Sequence, residues 1–147
     1  MKIQDIMTAN PECCTHDDSL TEAAAIMARR DVGFVPVVES RDTRKLVGCV
    51  TDRDIAVRGV AEGKDPDGTF VREIMTEDAV CCDPDDDLQR AKELMEEFQL
   101  HRVLVCDEQG SVIGVVSTAD IARALDEAAV GETTKSISQP AGRAPTV

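Results

Sequence analysis

The strongest constraint on this chain is that it matches itself. Ile6-Met7-Thr8 recurs as Ile74-Met75-Thr76, Cys13-Cys14 as Cys81-Cys82, and Leu20, Ala23 and Met27 as Leu88, Ala91 and Met95, all at one offset. Further on, Gly48-Cys49-Val50-Thr51 recurs as Gly114-Val115-Val116-Ser117 and Asp54-Ile55-Ala56 as Asp120-Ile121-Ala122, with the offset two residues shorter. The shortening falls between Glu39 and Leu46, as expected of a surface turn. The offset is too long for a short solenoid repeat. A unit of roughly 60 residues buries too little surface to stand alone, so the two copies are expected to pack face to face about a pseudo-twofold axis.

Each copy reads in the order βαββα. A short apolar strand around Cys13-Cys14, or Val80 to Cys82, leads into a polar cap and an amphipathic helix. Ser19 caps Leu20, Ala23, Ala24 and Met27; Asp87 caps Leu88, Ala91, Leu94, Met95 and Phe98. Two β-rich runs follow, Phe34 to Val38 with Leu46 to Thr51, and Arg102 to Cys106 with Val112 to Ser117. A second helix closes each copy, from about Asp52 to Val60 and from about Thr118 to Ala129. The fold class is α/β (α+β). The copies occupy 1–62 and 70–130, joined by 63–69 within the Gly- and Pro-punctuated stretch from Gly59 to Thr69. The segment 131–147, with Pro140, Gly142 and Pro145, lacks periodicity and reads as a flexible or partner-docking tail.

Charge narrows the function. A net charge of −13 presents a repulsive field to a polyanion, and a chain without Trp or Tyr offers no aromatic platform for single strands, so nucleic-acid binding is disfavoured. A small phosphorylated ligand stays open, because a few arginines and a helix N-terminus can reverse the sign inside one cleft. No charged segment leading into an apolar run begins the chain, and no run is long enough to span a bilayer; the expected location is the cytoplasm, with six reduced thiols.

The duplicated Gly48-Cys49-Val50-Thr51-Asp52-Arg53-Asp54-Ile55 and Gly114-Val115-Val116-Ser117-Thr118-Ala119-Asp120-Ile121, with the repeated Ile-Met-Thr, resemble the CBS domain. The tandem is similar to a stand-alone CBS pair, or Bateman module, of the small bacterial type. The resemblance implies a regulatory module that binds an adenine nucleotide or related ligand (AMP, ADP, ATP, NAD or S-adenosylmethionine) in clefts between copies, forms a homodimer and signals to a regulated protein. It requires no further cofactor. Physically, a strand ending in Thr or Ser delivers a hydroxyl to a helix N-terminus that already favours phosphate, and the acid one turn later can accept from two ribose hydroxyls. By resemblance, Thr51 and Ser117 are assigned to phosphate, Asp54 and Asp120 to ribose, and His101 and Arg102 to phosphate, with Arg53 as a further cation. Thr8 and Cys13, or Thr76 and Cys81, are placed near adenine. The competing reading makes Thr51 and Ser117 plain helix caps and the fold a structural interaction module without ligand. Copy one has Gly33-Phe34 where copy two has His101-Arg102, and Pro36 reads as structural.

Other chemistries lack support. Neighbours on a strand point to opposite faces, so Cys13-Cys14 cannot chelate like a Cys-x-x-Cys pair, and Cys49 and Cys106 read as small core hydrophobes. No metal is expected. His16 has no partner in its turn for nucleophilic catalysis, Asp85-Asp86-Asp87 suit a helix start, and no Gly-rich phosphate loop is present; an enzyme is not expected. Dimerisation is expected to cover the helix faces around Ala23 to Met27 and Leu88 to Met95.

Overall fold

The computed structural model describes residues 1–133; of the tail assigned to 131–147, the part beyond Thr133 lies outside the described residues. Copy one runs β1 (Thr8–Ala9), β2 (Cys14–Thr15), α1 (Leu20–Arg30), β3 (Phe34–Val38), β4 (Leu46–Thr51) and α2 (Asp52–Asp54). Copy two runs β5 (Cys81–Cys82), α3 (Leu88–Phe98), β6 (Arg102–Cys106), β7 (Val112–Ser117) and α4 (Thr118–Thr133). The helical path of α2 widens into a π-helical turn over Ile55–Val60 and so ends where the sequence reading puts the second helix of copy one; Gly59 within it is buried, and a Cβ there would come within 2.8 Å of Leu20 Cδ1. One boundary differs from the sequence reading. The last helix continues past Ala129 to Thr133.

Capping starts and stops the long helices. Ser19 accepts the Glu22 N–H at 3.1 Å and Asp87 accepts the Gln89 N–H at 3.1 Å. Asp31 and Gln99, both left-handed near φ 55°, end α1 and α3 by donating their N–H groups to the carbonyls of Met27 and Met95. Leu20, Ala23, Ile26 and Met27 form the buried stripe of α1; Leu88, Ala91, Leu94 and Met95 form that of α3. These faces are covered inside the chain. The expectation that a second copy of the chain must cover Ala23 to Met27 and Leu88 to Met95 is therefore corrected: Ala23, Ile26, Met27, Leu88, Ala91, Leu94 and Met95, at 8% exposure or less, already pack on their own sheets, while Ala24 and Phe98, read as part of these faces, are exposed.

Two sheets result, ordered β2-β3-β4 and β1-β7-β6-β5. Within each, a parallel pair (Cys14 opposite Val37; Cys81 opposite Leu104) adjoins an antiparallel hairpin (Phe34 opposite Thr51; Arg102 opposite Ser117). The βαββα order of each copy is thus realised, but its lead-in segment belongs elsewhere. β1 of copy one pairs with β7 of copy two, Thr8 opposite Val115 and Ala9 opposite Gly114. Reciprocally, Thr76 exchanges two hydrogen bonds of 2.9 Å with Cys49 of β4. Ile3 is consequently buried in the core of copy two, among Leu88, Leu94, Val103 and Val116, while Val71 and Ile74 are buried in that of copy one, among Leu20, Ile26, Val35 and Val50.

A third apolar layer lies between the sheets, built from Cys13, Val38, Leu104, Cys106 and Val112. Alternation along the strands separates adjacent cysteines, as expected: Cys14 enters the core of copy one while Cys13 enters the middle layer. Across this layer the backbone contacts are also reciprocal, the Leu46 N–H donating to the Gly110 carbonyl at 3.0 Å and the Val112 N–H to the Arg44 carbonyl at 2.9 Å. Such exchanged contacts are the signature of pseudo-twofold packing.

Candidate functional site

The end of β7 and the start of α4 form one wall of a cleft of about 420 Å³ whose other wall comes from copy one. Copy two supplies Arg102, Val115, Ser117 and Asp120. Copy one supplies Thr8 and Asn10 from the swapped lead-in, Glu12, and Phe34 and Pro36 of β3, with Ile26, Arg30 and Val32 from α1 and its C-terminal turn. The swap of β1 is thus what carries Thr8 to Ser117.

At this wall a strand runs directly into a helix. The Ser117 N–H donates to Asp120 Oδ2 at 2.9 Å, and the Asp120 N–H donates to Ser117 Oγ at 3.1 Å. This reciprocal cap satisfies two donors that a helix start leaves open. The remaining oxygen, Asp120 Oδ1, accepts from Arg123 Nη2 at 2.7 Å. Thr51 and Asp54 repeat the arrangement in copy one, with both cap bonds at 3.0 Å, and Arg58 Nε stands 3.9 Å from Asp54 Oδ1 while its Nη1 donates to the Ile74 carbonyl at 3.0 Å. In both copies these residues cap their helices, and in copy two they also face a cleft.

The other sequence candidates separate. Thr8 and Arg102 line the cleft; His101 does not, its side chain being exposed and its carbonyl accepting the Thr118 N–H at 2.9 Å. Cys13 is buried in the middle layer, where its thiol donates to the Pro11 carbonyl at 3.4 Å. Thr51, Asp54, Arg53, Thr76 and Cys81 lie outside this cleft; Arg53, Thr76 and Cys81 are exposed.

Several lining residues were not legible beforehand. Phe34, set aside at the position matching Arg102, lies beneath it, with the guanidinium carbon 5.9 Å from the ring centre, within range of a cation–π contact. Pro36, read as structural, also faces the cleft. The signal was latent in the duplication, because equivalent residues near a twofold axis meet each other. At the rim Glu12 accepts from Arg30 Nε at 2.9 Å and pairs with Arg29; hydrogen bonds from Arg30 and then Arg29 hold its carboxyl below the usual glutamate range. Arg30 and Arg102 thus bring positive charge to a cleft in an acidic chain, while Phe34, Pro36, Ile26, Val32 and Val115 give it an apolar floor. An apolar slot with a few convergent polar groups suits a flat heterocycle carrying hydroxyls and an anion. Among the described residues no group of three or more His, Cys, Asp or Glu side chains is placed to hold a metal ion, and no helix is long and apolar enough to cross a membrane.

Two sheets of the same βαββα unit, exchanging lead-in strands around a cleft, define a tandem CBS pair. The chain belongs to the CBS domain family, which matches residues 3–59 and 71–127. Over 137 residues it is 36% identical to Hypoxic response protein 1 of Mycobacterium tuberculosis, covering 93% of this chain and 94% of that protein. The crystal structure of Hypoxic Response Protein I, described with two coordinated zinc ions, superposes with a TM-score of 0.75, covering 84% of this chain and 98% of that one. The CBS domain pair of protein MJ0100, in complex with 5-methylthioadenosine and S-adenosyl-L-methionine, is 28% identical with a TM-score of 0.72, covering 87% and 98%. The CBS domain protein PAE2072 from Pyrobaculum aerophilum, complexed with AMP, is 25% identical with a TM-score of 0.74, covering 87% and 98%.

Proposed function

We propose that this chain is a cytoplasmic regulatory module that binds an adenosine derivative, of the class of AMP, ADP, ATP, NAD or S-adenosylmethionine, between its two CBS copies and passes the occupied state to a partner protein. The observation that carries the reading is the convergence of Thr8, Arg102, Ser117 and Asp120, drawn from both copies, on one cleft floored by Phe34 and Pro36. The ligands of MJ0100 and PAE2072 support the class. In this reading Ser117 and the start of α4 receive phosphate, Arg102 neutralises it, Asp120 accepts from the ribose hydroxyls, and Thr8 with the swapped strand borders the base. Thr51 and Asp54, with Arg53, Thr76 and Cys81, form the pseudo-equivalent position in copy one. His101, which does not line the cleft, and buried Cys13 have weaker claims to contact.

The module acts without catalysis and works as a homodimer. Dimerisation now rests on the exposed apolar residues Val57, Val60, Phe98 and Leu125 rather than on the first helices of each copy. Calorimetric titration of ligand-free protein with AMP, ATP, NAD and S-adenosylmethionine is the test. At least one should bind, and Asp120→Ala should weaken it by tenfold or more. The second reading, a structural interaction module without ligand, is favoured by the cap and arginine contacts that already satisfy Asp120 and engage Asp54. Absence of heat with every one of these ligands would select it.

A further inference from the structure

The two cysteines of β5 are sent in different directions by their partners on β6. Cys82 stands opposite Val105 and Cys81 opposite Leu104. Cys82 and Val105 belong to the core of copy two, whereas Leu104 and Cys106 belong to the layer between the sheets. Cys81 and Cys106 therefore stand on the same face of adjacent strands, and the β6–β7 register slips at Val105/Cys106. Cys106 is two residues beyond Leu104 on β6, so it is the diagonal neighbour of Cys81 across the parallel pair. Cys81 is exposed; Cys106 is buried. In copy one the same positions are Cys13 and Val38, so this pairing occurs in copy two alone.

The surroundings set Cys81 apart from the other thiols. Cys14 donates to the Pro36 carbonyl and Cys82 to the Leu104 carbonyl, and burial pushes both up to about 12; burial likewise pushes Cys49 up to about 11 and raises Cys13. Cys81 is instead held down at about 7 by the hydrogen bond from Cys106, against partial burial and the charge of Asp83. That bond, followed by burial, keeps Cys106 protonated. A thiolate is the nucleophile in thiol oxidation, and reactivity follows thiolate character and access.

We propose that Cys81 and Cys106 form a dithiol modification site that a hydroperoxide converts to a disulfide, with Cys81 as the attacking thiol and Cys106 as the resolving one. The Cys81 thiolate attacks the terminal oxygen of the hydroperoxide; the O–O bond breaks, the alkoxide takes up the proton that Cys81 had released, and Cys81 becomes a sulfenic acid. The Cys106 sulfur then attacks Cys81 sulfur. The S–O bond breaks, the S–S bond forms, and the departing hydroxide leaves as water with the Cys106 proton. Two thiols are oxidised and one hydroperoxide is reduced to an alcohol, or to water from hydrogen peroxide.

The test treats the reduced full-length chain with near-stoichiometric hydrogen peroxide, then denatures it in N-ethylmaleimide and counts labels by intact mass. The label count should fall from six to four, with peptide mapping returning a Cys81–Cys106 link within one chain. Cys106→Ser should stop at a Cys81 sulfenic acid that dimedone traps. Cys81→Ser, at an exposed position that folding tolerates, should keep all its remaining thiols at the same dose. Retention of six labels in the parent chain, a link between any other pair or between chains, or equal label loss in Cys81→Ser would each overturn the proposal.

Discussion

Replacing Gly48 with alanine sets two physical expectations against each other. Gly48 lies in β4 and is not among the residues with positive φ, so its backbone accepts alanine. The ordinary effect of such a change is stabilisation by about 0.4–1 kcal/mol, through the entropy of the unfolded chain. Here, however, the lead-in of copy two crosses directly over the glycine. A Cβ at Gly48 would lie 2.6 Å from the Thr76 carbonyl oxygen and 3.1 Å from Met75 Sδ. The first obstacle is backbone, and it is tied in place by the two 2.9 Å hydrogen bonds between Thr76 and Cys49. Relieving the clash must stretch those bonds, each worth about 1 kcal/mol net, and strain of this kind in a packed site costs about 1–3 kcal/mol. Set against the entropic gain, Gly48→Ala should destabilise the chain by about 2 kcal/mol. Urea denaturation would report this as a lower midpoint at unchanged slope. Gly114→Ala provides the comparison, because there a Cβ would meet the flexible side chain of Met7, which can swing aside; its cost should be smaller. A Gly48→Ala chain as stable as the parent, or more so, would refute the swapped-strand reasoning, as would a larger penalty at Gly114.

Three further outcomes follow from the same structure. Ile3→Ala and Ile74→Ala, each truncating a side chain buried in the other copy's core, should each cost about 2–5 kcal/mol in chemical denaturation. A fragment of residues 1–66 lacks Val71 and Ile74, and by circular dichroism it should show no cooperative unfolding transition. Asp18 is buried: burial acts to raise its carboxyl, but hydrogen bonds from Arg41 at 2.6 Å and from Thr15 outweigh this and leave it below the usual aspartate value. A depressed acid stabilises the fold above its unfolded value, about 3.9, and loses that contribution as pH falls through the folded value. Stability of the parent chain should therefore fall more steeply below about pH 4 than that of Asp18→Asn, measured by urea midpoints across pH.

The sequence by itself determined the local structure. Duplication, helical spacing and caps at Ser19 and Asp87 set the βαββα order twice, because these signals act within a few residues of chain. Strand alternation alone sent Cys13 and Cys14 to different layers. The Ser117 and Asp120 positions were legible for the same reason: a strand-to-helix junction is local, and its cap follows from three-residue spacing.

Tertiary structure decided everything that depends on which copy a segment joins. Periodicity shows that Ile3, Val71 and Ile74 are apolar but not that each is buried in the opposite copy, since no local energy distinguishes a strand's own sheet from its twin. The placement of Phe34 beneath Arg102 and that of Cys81 and Cys106 on one face of adjacent strands are likewise consequences of the packing and register of elements distant in sequence. The repeat required two units to share one body. How they exchange strands, and so which side chains meet between them, was settled by packing, where two glycines leave room for a crossing segment.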